Sequence, residues 1–180
     1  MQLSLTMLHF RKIHQQLPIE KRSEYMLTWH KETTIPAPIE TVWNLFDLDH
    51  IQRIMPNIVE HKPLEMKEGV VGSTYQQTYK EGKRTETYIV TDLEYENTPY
   101  KKHNKIEFTL AKLFNIQTAF TLIKIDEQTT RFIYSGQNEG VNLLGRTISK
   151  LGSKKQNEKV VNDFVELVRT ESLKDTQKVR

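Results

Sequence analysis

The chain has 180 residues, 37% of them hydrophobic and 27% charged, with no cysteine and a net charge of +3. That length suits one domain with a sizeable core. The missing thiols exclude a disulfide scaffold and thiolate chemistry, and fit a reducing, cytoplasmic setting. Three excess positive charges are too few to argue for nucleic acid, and no apolar run approaches the roughly 18 residues of a spanning helix, so stable membrane insertion is not expected.

Residues 1–25 read as an N-terminal helical extension. Leu3, Met7, Phe10, Ile13 and Leu17 recur at helical spacing, while His9, Arg11 and Lys12 interrupt the stretch and spoil it as a signal peptide. A docked or frayed helix and an interfacial membrane helix are the alternatives, and Met26 is a candidate natural start. The domain proper spans residues 26–172. "LTWHKETTI" (Leu27 to Ile35) reads as a strand. Pro36 cannot continue a ladder, and Pro38 suits the first helical position. Ile39, Val42, Trp43 and Phe46 then share one helical face, so "IPAPIETVWNLF" is a sharp strand-to-helix corner pressing Trp43 inward. Asp49 with Gln52 predicts a cap for a second short helix, which Pro56 ends.

From Val59 to Gln137 the pattern has mostly period two. "STYQQTYK" and "KRTETYIVTDLEY" flank Glu81-Gly82, and "NIQTAFTLIKI" and "TTRFIYSGQ" flank "DEQT", giving two hairpins. About seven strands result, counting the first. Pairing Lys80 with Lys83 sets Tyr79 opposite Arg84, Gln77 opposite Glu86 and Tyr75 opposite Tyr88. One face then carries Tyr75, Gln77, Tyr79, Glu86, Tyr88 and Val90, and the other carries mainly threonines. Three tyrosines, a glutamine and a glutamate are too polar for a dry core, since each unpaired buried group costs about 1–3 kcal/mol. They imply a partly wet pocket. Ile106, Phe108 and Leu110 share a face on "KIEFTL". After Gly140 the period is helical again, with one stripe through Leu144, Ile148 and Leu151 and a wider one through Val160, Val161, Phe164, Val165, Leu167 and Val168. Ser153 and Gln156 match a capping box, so a kink near Gly152 is expected. Residues 173–180 read as a charged tail that frays.

No nucleophile elbow or zinc-protease motif occurs, and the six histidines have no metal-ligand spacing. No metal and no cofactor are therefore expected. "EGVVG" (Glu68 to Gly72) reads as a turn and not a phosphate loop. Glu86 beside Tyr79 and Tyr88 is the candidate acid or base, with an ion pair to Arg84 or Arg131 as the plain alternative. Lys154 and Lys155 form a solvated face or guide an anionic headgroup. Arg146, Leu143, Leu144 and two nearby glycines suggest an adjustable gate.

The element order, with Ala37, Pro38, Glu40, Val42 and Trp43 at the corner and "VVNDFVELV" in the last helix, resembles the helix-grip fold of the SRPBCC superfamily over roughly residues 27–171. That group includes START lipid-transfer, plant pollen-allergen-like and polyketide cyclase/dehydrase-like proteins. The resemblance implies an α+β fold in which a curved antiparallel sheet grips a long C-terminal helix and a cavity lies between them. It implies a ligand-binding role for Tyr75, Gln77, Tyr79, Glu86, Tyr88, Phe108, Phe120, Tyr134 and Phe164. The implied partner is a hydrophobic or amphipathic small molecule of lipid, polyketide or flavonoid, or quinone type. A cyclase- or dehydratase-like enzyme and an interaction module are the alternatives on the same fold. Neither the ligand nor an oligomeric state is written in the sequence.

Overall fold

The computed structural model describes residues 26–151 and 154–178. The expectations for residues 1–25, for a kink at Gly152, for the Ser153 cap and for the last two residues lie outside these. The elements run β1 (Met26–Ile35), α1 (Ile39–Trp43), a 3-10 turn (Asn44–Phe46), α2 (Ile51–Ile54), β2 (Ile58–Glu65), β3 (Thr74–Glu81), β4 (Arg84–Asn97), β5 (Lys101–Leu110), β6 (Phe114–Asp126), β7 (Thr129–Gly140), α3 (Leu143–Leu151) and α4 (Lys154–Lys178).

Seven strands form one antiparallel sheet in the order β1-β7-β6-β5-β4-β3-β2. β1 and β2 follow each other in sequence yet lie on opposite edges, so the corner and the two short helices span the sheet's width. Pro63 is tolerated in β2 because that strand is an edge.

The corner forms as the prolines dictate. Ile35 and Ala37 are fully buried, and the Thr130 hydroxyl donates to the Ala37 carbonyl at 2.8 Å. Pro38 caps the helix from just outside, at φ −57°, one residue earlier than the sequence predicts. Its carbonyl accepts from Val42 N–H. Ile39, Val42 and Trp43 are buried as the helical face requires, and Leu45 joins them. The expected Asp49 cap is absent. His50 precedes α2 without a side-chain cap bond, and backbone carbonyls take the early N–H groups instead, Ile51 N–H donating to Asp47 and Arg53 N–H to His50, both at 2.9 Å.

α4 packs on β1, α1 and α2. Its inner residues Val165 and Val168 join Ile35, Val42, Trp43, Leu45, Ile54, Phe120, Leu122 and Phe132 in one core cluster. The expected fraying after Ser172 does not occur. α4 runs to Lys178, and Ser172 is fully buried with its hydroxyl on the Val168 carbonyl. Arg53 of α2 explains the difference. Its Nη2 donates to Glu171 Oε2 at 2.9 Å and its Nη1 to Asp175 Oδ2 at 2.6 Å, so the charges that suggest a loose tail are the ones that anchor it.

The first hairpin turn lies one residue later than predicted, which shifts the cross-strand register by two. Glu81 pairs with Arg84, which puts Tyr79 opposite Glu86, Gln77 opposite Tyr88 and Tyr75 opposite Val90. Gly82 supplies the positive φ of the turn, +58°. A slip of two keeps every side chain on its predicted face, because the strand repeat is two.

Candidate functional site

A cavity of about 870 Å³ lies between the sheet and α4. All nine residues named as candidate ligand contacts line it: Tyr75, Gln77, Tyr79, Glu86, Tyr88, Phe108, Phe120, Tyr134 and Phe164. The rings are organised. Phe120 and Tyr134 stack at 5.5 Å, and Phe164 of α4 meets Tyr134 at 4.6 Å. Phe120 also touches Phe46 at 4.9 Å, so the cavity wall runs on into the core through Phe46 and Trp43, which line it as well. Tyr88 and Phe108 stack at 4.8 Å on neighbouring strands. From α4 come Asn157, Val160 and Val161 beside Phe164.

Trp29 of β1 is a wall residue that periodicity left unremarked. Its indole lies over Gly136, where an added Cβ would sit 2.3 Å from the ring. Only glycine on β7 leaves room for it.

The polar part of the cavity holds residues the sequence reading missed: Asp92, His61 and Asn104. Tyr88, Val90 and Asp92 continue one face of β4, so extending the alternation by a single step would have found Asp92. Beyond it the ladder shifts between Asp92 and Glu94. That bulge absorbs one residue and turns Tyr95 inward as well, three positions after Asp92. The Asp92 backbone is fixed on the other side by β3 and its preceding loop. Gly72 N–H donates to the Asp92 carbonyl at 2.8 Å, and Asp92 N–H donates to the Ser73 carbonyl at 3.0 Å. The "EGVVG" segment is indeed a turn. It holds Val70 at φ +74°, a left-handed conformation that costs a β-branched residue about 1–3 kcal/mol.

Side chains here form a relay. His61 Nδ1 lies 2.9 Å from Gln77 Oε1, and Gln77 Nε2 donates to the Tyr88 hydroxyl at 2.9 Å. A carbonyl oxygen can only accept, so His61 carries a proton on Nδ1. The His61 ring packs at 5.0 Å from Tyr75, whose hydroxyl interacts with Asp92. Burial lowers the His61 pKa, keeping the imidazole neutral, with Gln77 and Asp92 opposing more weakly. Burial pushes Tyr88 up to about 12, and burial reinforced by Asp92 does the same to Tyr75.

Asp92 is 2% exposed. Burial raises its carboxyl above the usual range, against the opposing pull of Asn104, Tyr75 and His61. The sign for stability follows. A carboxyl whose folded pKa is raised stabilises the fold fully only below its unfolded pKa, and that contribution is lost as pH rises through the folded value. Asp92→Asn removes this loss at nearly constant shape. The variant is expected to melt above the parent at pH 8, with the gap closing toward pH 4. Thermal melts across that range check it, and a parent that is the more stable at pH 8 overturns it.

Other candidates fall elsewhere. Glu86 is at the rim, paired with Arg84 at 2.9 Å and accepting from Ala111 N–H. The plain ion pair thus replaces the proposed acid or base. The gate fails on packing. Leu143 and Leu144 are exposed and do not line the cavity. Gly145 is wedged so closely that a Cβ would stand 2.2 Å from the Leu113 carbonyl oxygen, which makes it an anchor and not a hinge. Lys154 and Lys155 are exposed, and neither lines the main cavity. Among the described residues no group of three or more His, Asp or Glu could hold a metal ion, and no helix is long and apolar enough to cross a membrane.

No protein-family model and no curated protein sequence matches the chain. Solved structures do. The Zhui aromatase/cyclase from a Streptomyces species superposes with a TM-score of 0.61 at 15% identity, covering 86% of this chain and 96% of that one. Norcoclaurine synthase from Thalictrum flavum, in complex with dopamine and hydroxybenzaldehyde, gives 0.56 at 11% identity over 88% and 93% of the two chains. Major latex-like protein 151 from Panax ginseng gives 0.58 at 16% identity over 83% and 99%. Likeness at such low identity speaks for architecture and not for activity. Strand order, corner, cavity and gripped helix all agree with it, and the chain has the helix-grip fold.

Proposed function

We propose that the chain binds and carries a hydrophobic or amphipathic small molecule, of lipid, polyketide or flavonoid, or quinone type, in the cavity between sheet and α4. The observation that carries this reading is the cavity itself. Its 870 Å³ falls in the range of small-molecule sites, about 300–1,000 Å³, and such sites combine apolar walls with a few convergent polar groups. The aromatic walls and the Asp92–Tyr75–His61 cluster have that make-up. The two neighbours named as a synthase and an aromatase/cyclase support ligand chemistry in this fold. The binding unit in this reading is residues 26–172, continued by the helical residues 173–178, and a chain without cysteine supports a cytoplasmic setting.

Fluorescence titration with a labelled fatty acid, a flavonoid and a quinone tests it. At least one gives saturable binding. Tyr88→Ala, which removes both a stacked ring and the end of the relay, weakens that binding by about ten-fold or more, equivalent to about 1.4 kcal/mol. Absence of binding by all three sinks the carrier reading in favour of a surface-interaction role.

A cyclase- or dehydratase-like reaction in the same cavity is the second reading. One observation favours it: Asp92 is a buried carboxyl of raised pKa beside a tyrosine hydroxyl, an environment suited to proton transfer.

A further inference from the structure

Counting donors and acceptors around the cavity narrows what it takes. Asp92 Oδ2, Asn104 Oδ1 and Asn138 Oδ1 are buried, line the cavity and have no hydrogen-bond partner among the described residues. All three are acceptors. The donors beside Asp92 are turned to protein partners. His61 Nδ1 faces Gln77, Gln77 Nε2 faces Tyr88, and the Tyr75 hydroxyl is turned to Asp92. Trp29 Nε1 is the one fully buried donor of the described lining without a hydrogen-bond partner, and the Tyr79 and Tyr88 hydroxyls, which accept from Asn57 and Gln77, each keep an O–H for a ligand acceptor elsewhere on the wall.

Charge points the same way. Among the described lining residues, Asp47, Glu81, Glu86 and Asp92 are acidic and Arg84 is the one cation, paired with Glu86 at the rim. A chain whose net charge is +3 has thus put an excess of carboxylates around its cavity. A ligand carboxylate entering there would meet like charge and unpaired lone pairs, and would leave both itself and Asp92 desolvated without a counter-ion. That arrangement is costly in a low-dielectric site. A hydroxyl or ammonium donor removes the penalty by giving Asp92 Oδ2 the partner it lacks.

We propose that the cavity selects amphipathic aromatic ligands whose buried end carries a hydrogen-bond donor, a phenolic hydroxyl or a protonated amine, and that it discriminates against carboxylates through Asp92. This rests on the binding role proposed above and narrows it. Among the ligand types considered there, hydroxylated polyketides and flavonoids satisfy the three oxygens; fatty acids and fully oxidised quinones, which offer acceptors only, do not.

A matched set of probes tests it: 2-naphthol, 2-naphthylmethylamine and 2-naphthoate, titrated against the full chain at pH 7.5. The apolar body is constant, so differences report the head group. The two donor heads are expected to bind at least ten-fold more tightly than naphthoate. Asp92→Asn presents an amide N–H where the parent presents only oxygen, and it is expected to shrink that ratio to about three-fold or less. Naphthoate binding as tightly as naphthol in the parent overturns the selectivity while leaving the binding role standing. A ratio unchanged in a folded Asp92→Asn variant overturns the assignment to Asp92. Failure of all three probes overturns the inference, and the fatty acid, flavonoid and quinone titrations then decide whether the binding role stands without it. The parent ranking does not depend on the variant folding.

Discussion

Trp43→Ala is expected to destabilise the fold by about 3–5 kcal/mol, the usual range for truncating a large buried aromatic side chain. For a chain of this size, each kcal/mol moves the melting temperature by about 2–4 °C, so the midpoint falls by roughly 6–20 °C. The indole is 9% exposed and sits where three parts of the chain meet. It touches Phe46 of the 3-10 turn at 5.9 Å and Tyr95 of β4 at 6.3 Å, and the Lys102 ammonium lies 5.9 Å from its ring. Lys102 is itself buried and reaches Glu40 at 3.0 Å and Asn97. Losing the ring therefore leaves a cavity beside a buried cation that has lost its apolar cover. Far-UV circular dichroism melts of parent and variant decide the matter. A variant melting within two degrees of the parent shows that the corner carries no such load.

This corner was also the most legible part of the sequence, and the physical reason is local. Two prolines fix φ at neighbouring positions, and four apolar residues at helical spacing leave one way to turn. The sheet faces were nearly as legible. The hairpin register was two residues off, yet Tyr75, Gln77, Tyr79, Tyr88 and Val90 still reached the cavity, because face depends on parity and not on register. Asp92 lies one step further along the same parity, and its residue type is what hid it. An aspartate at an inward position contradicts the hydrophobic pattern, and the bulge after it breaks the period that would have placed Tyr95. His61 was hidden by Pro63, which interrupts β2 as a pattern although an edge strand accommodates it. The sites that depart from pattern are the sites that carry polar chemistry. The end of α4 misled in another way. Composition reports charge density, whereas order there depends on one arginine 118 residues earlier in the chain, and no local window contains both partners.

Arg53→Ala is therefore expected to produce the loose end that the composition of residues 173–178 suggests. The guanidinium spans both carboxylates, with Nε and Nη2 on Glu171 at 3.1 and 2.9 Å and Nη1 and Nη2 on Asp175 at 2.6 and 3.0 Å. Removing one partner of a fully buried pair costs about 3–5 kcal/mol, and exposed pairs are worth at most about 1 kcal/mol. Here the side chains retain 29%, 12% and 26% of their exposure, so a loss of about 1.5–3 kcal/mol lies between those limits. The pH dependence has a definite sign. Hydrogen bonding to Lys174 and then to Arg53 holds Glu171 below the usual carboxylate range. A depressed carboxyl stabilises above its unfolded pKa, and the contribution is lost as pH falls through the folded value. The difference between parent and variant is accordingly largest near neutral pH and fades as the pH drops below about 4, where free carboxyls of this kind protonate. Arg53→Lys keeps the charge without the planar fork, and an intermediate loss is expected. Hydrogen exchange separates local from global effects. In Arg53→Ala the amides of residues 171–178 lose protection before those of β5 and β6, since α2 and the end of α4 part while Val165 and Val168 remain in the core cluster. Equal protection of residues 171–178 in parent and variant shows that packing of Ser172 alone holds the helix end, and that the arginine clamp contributes nothing.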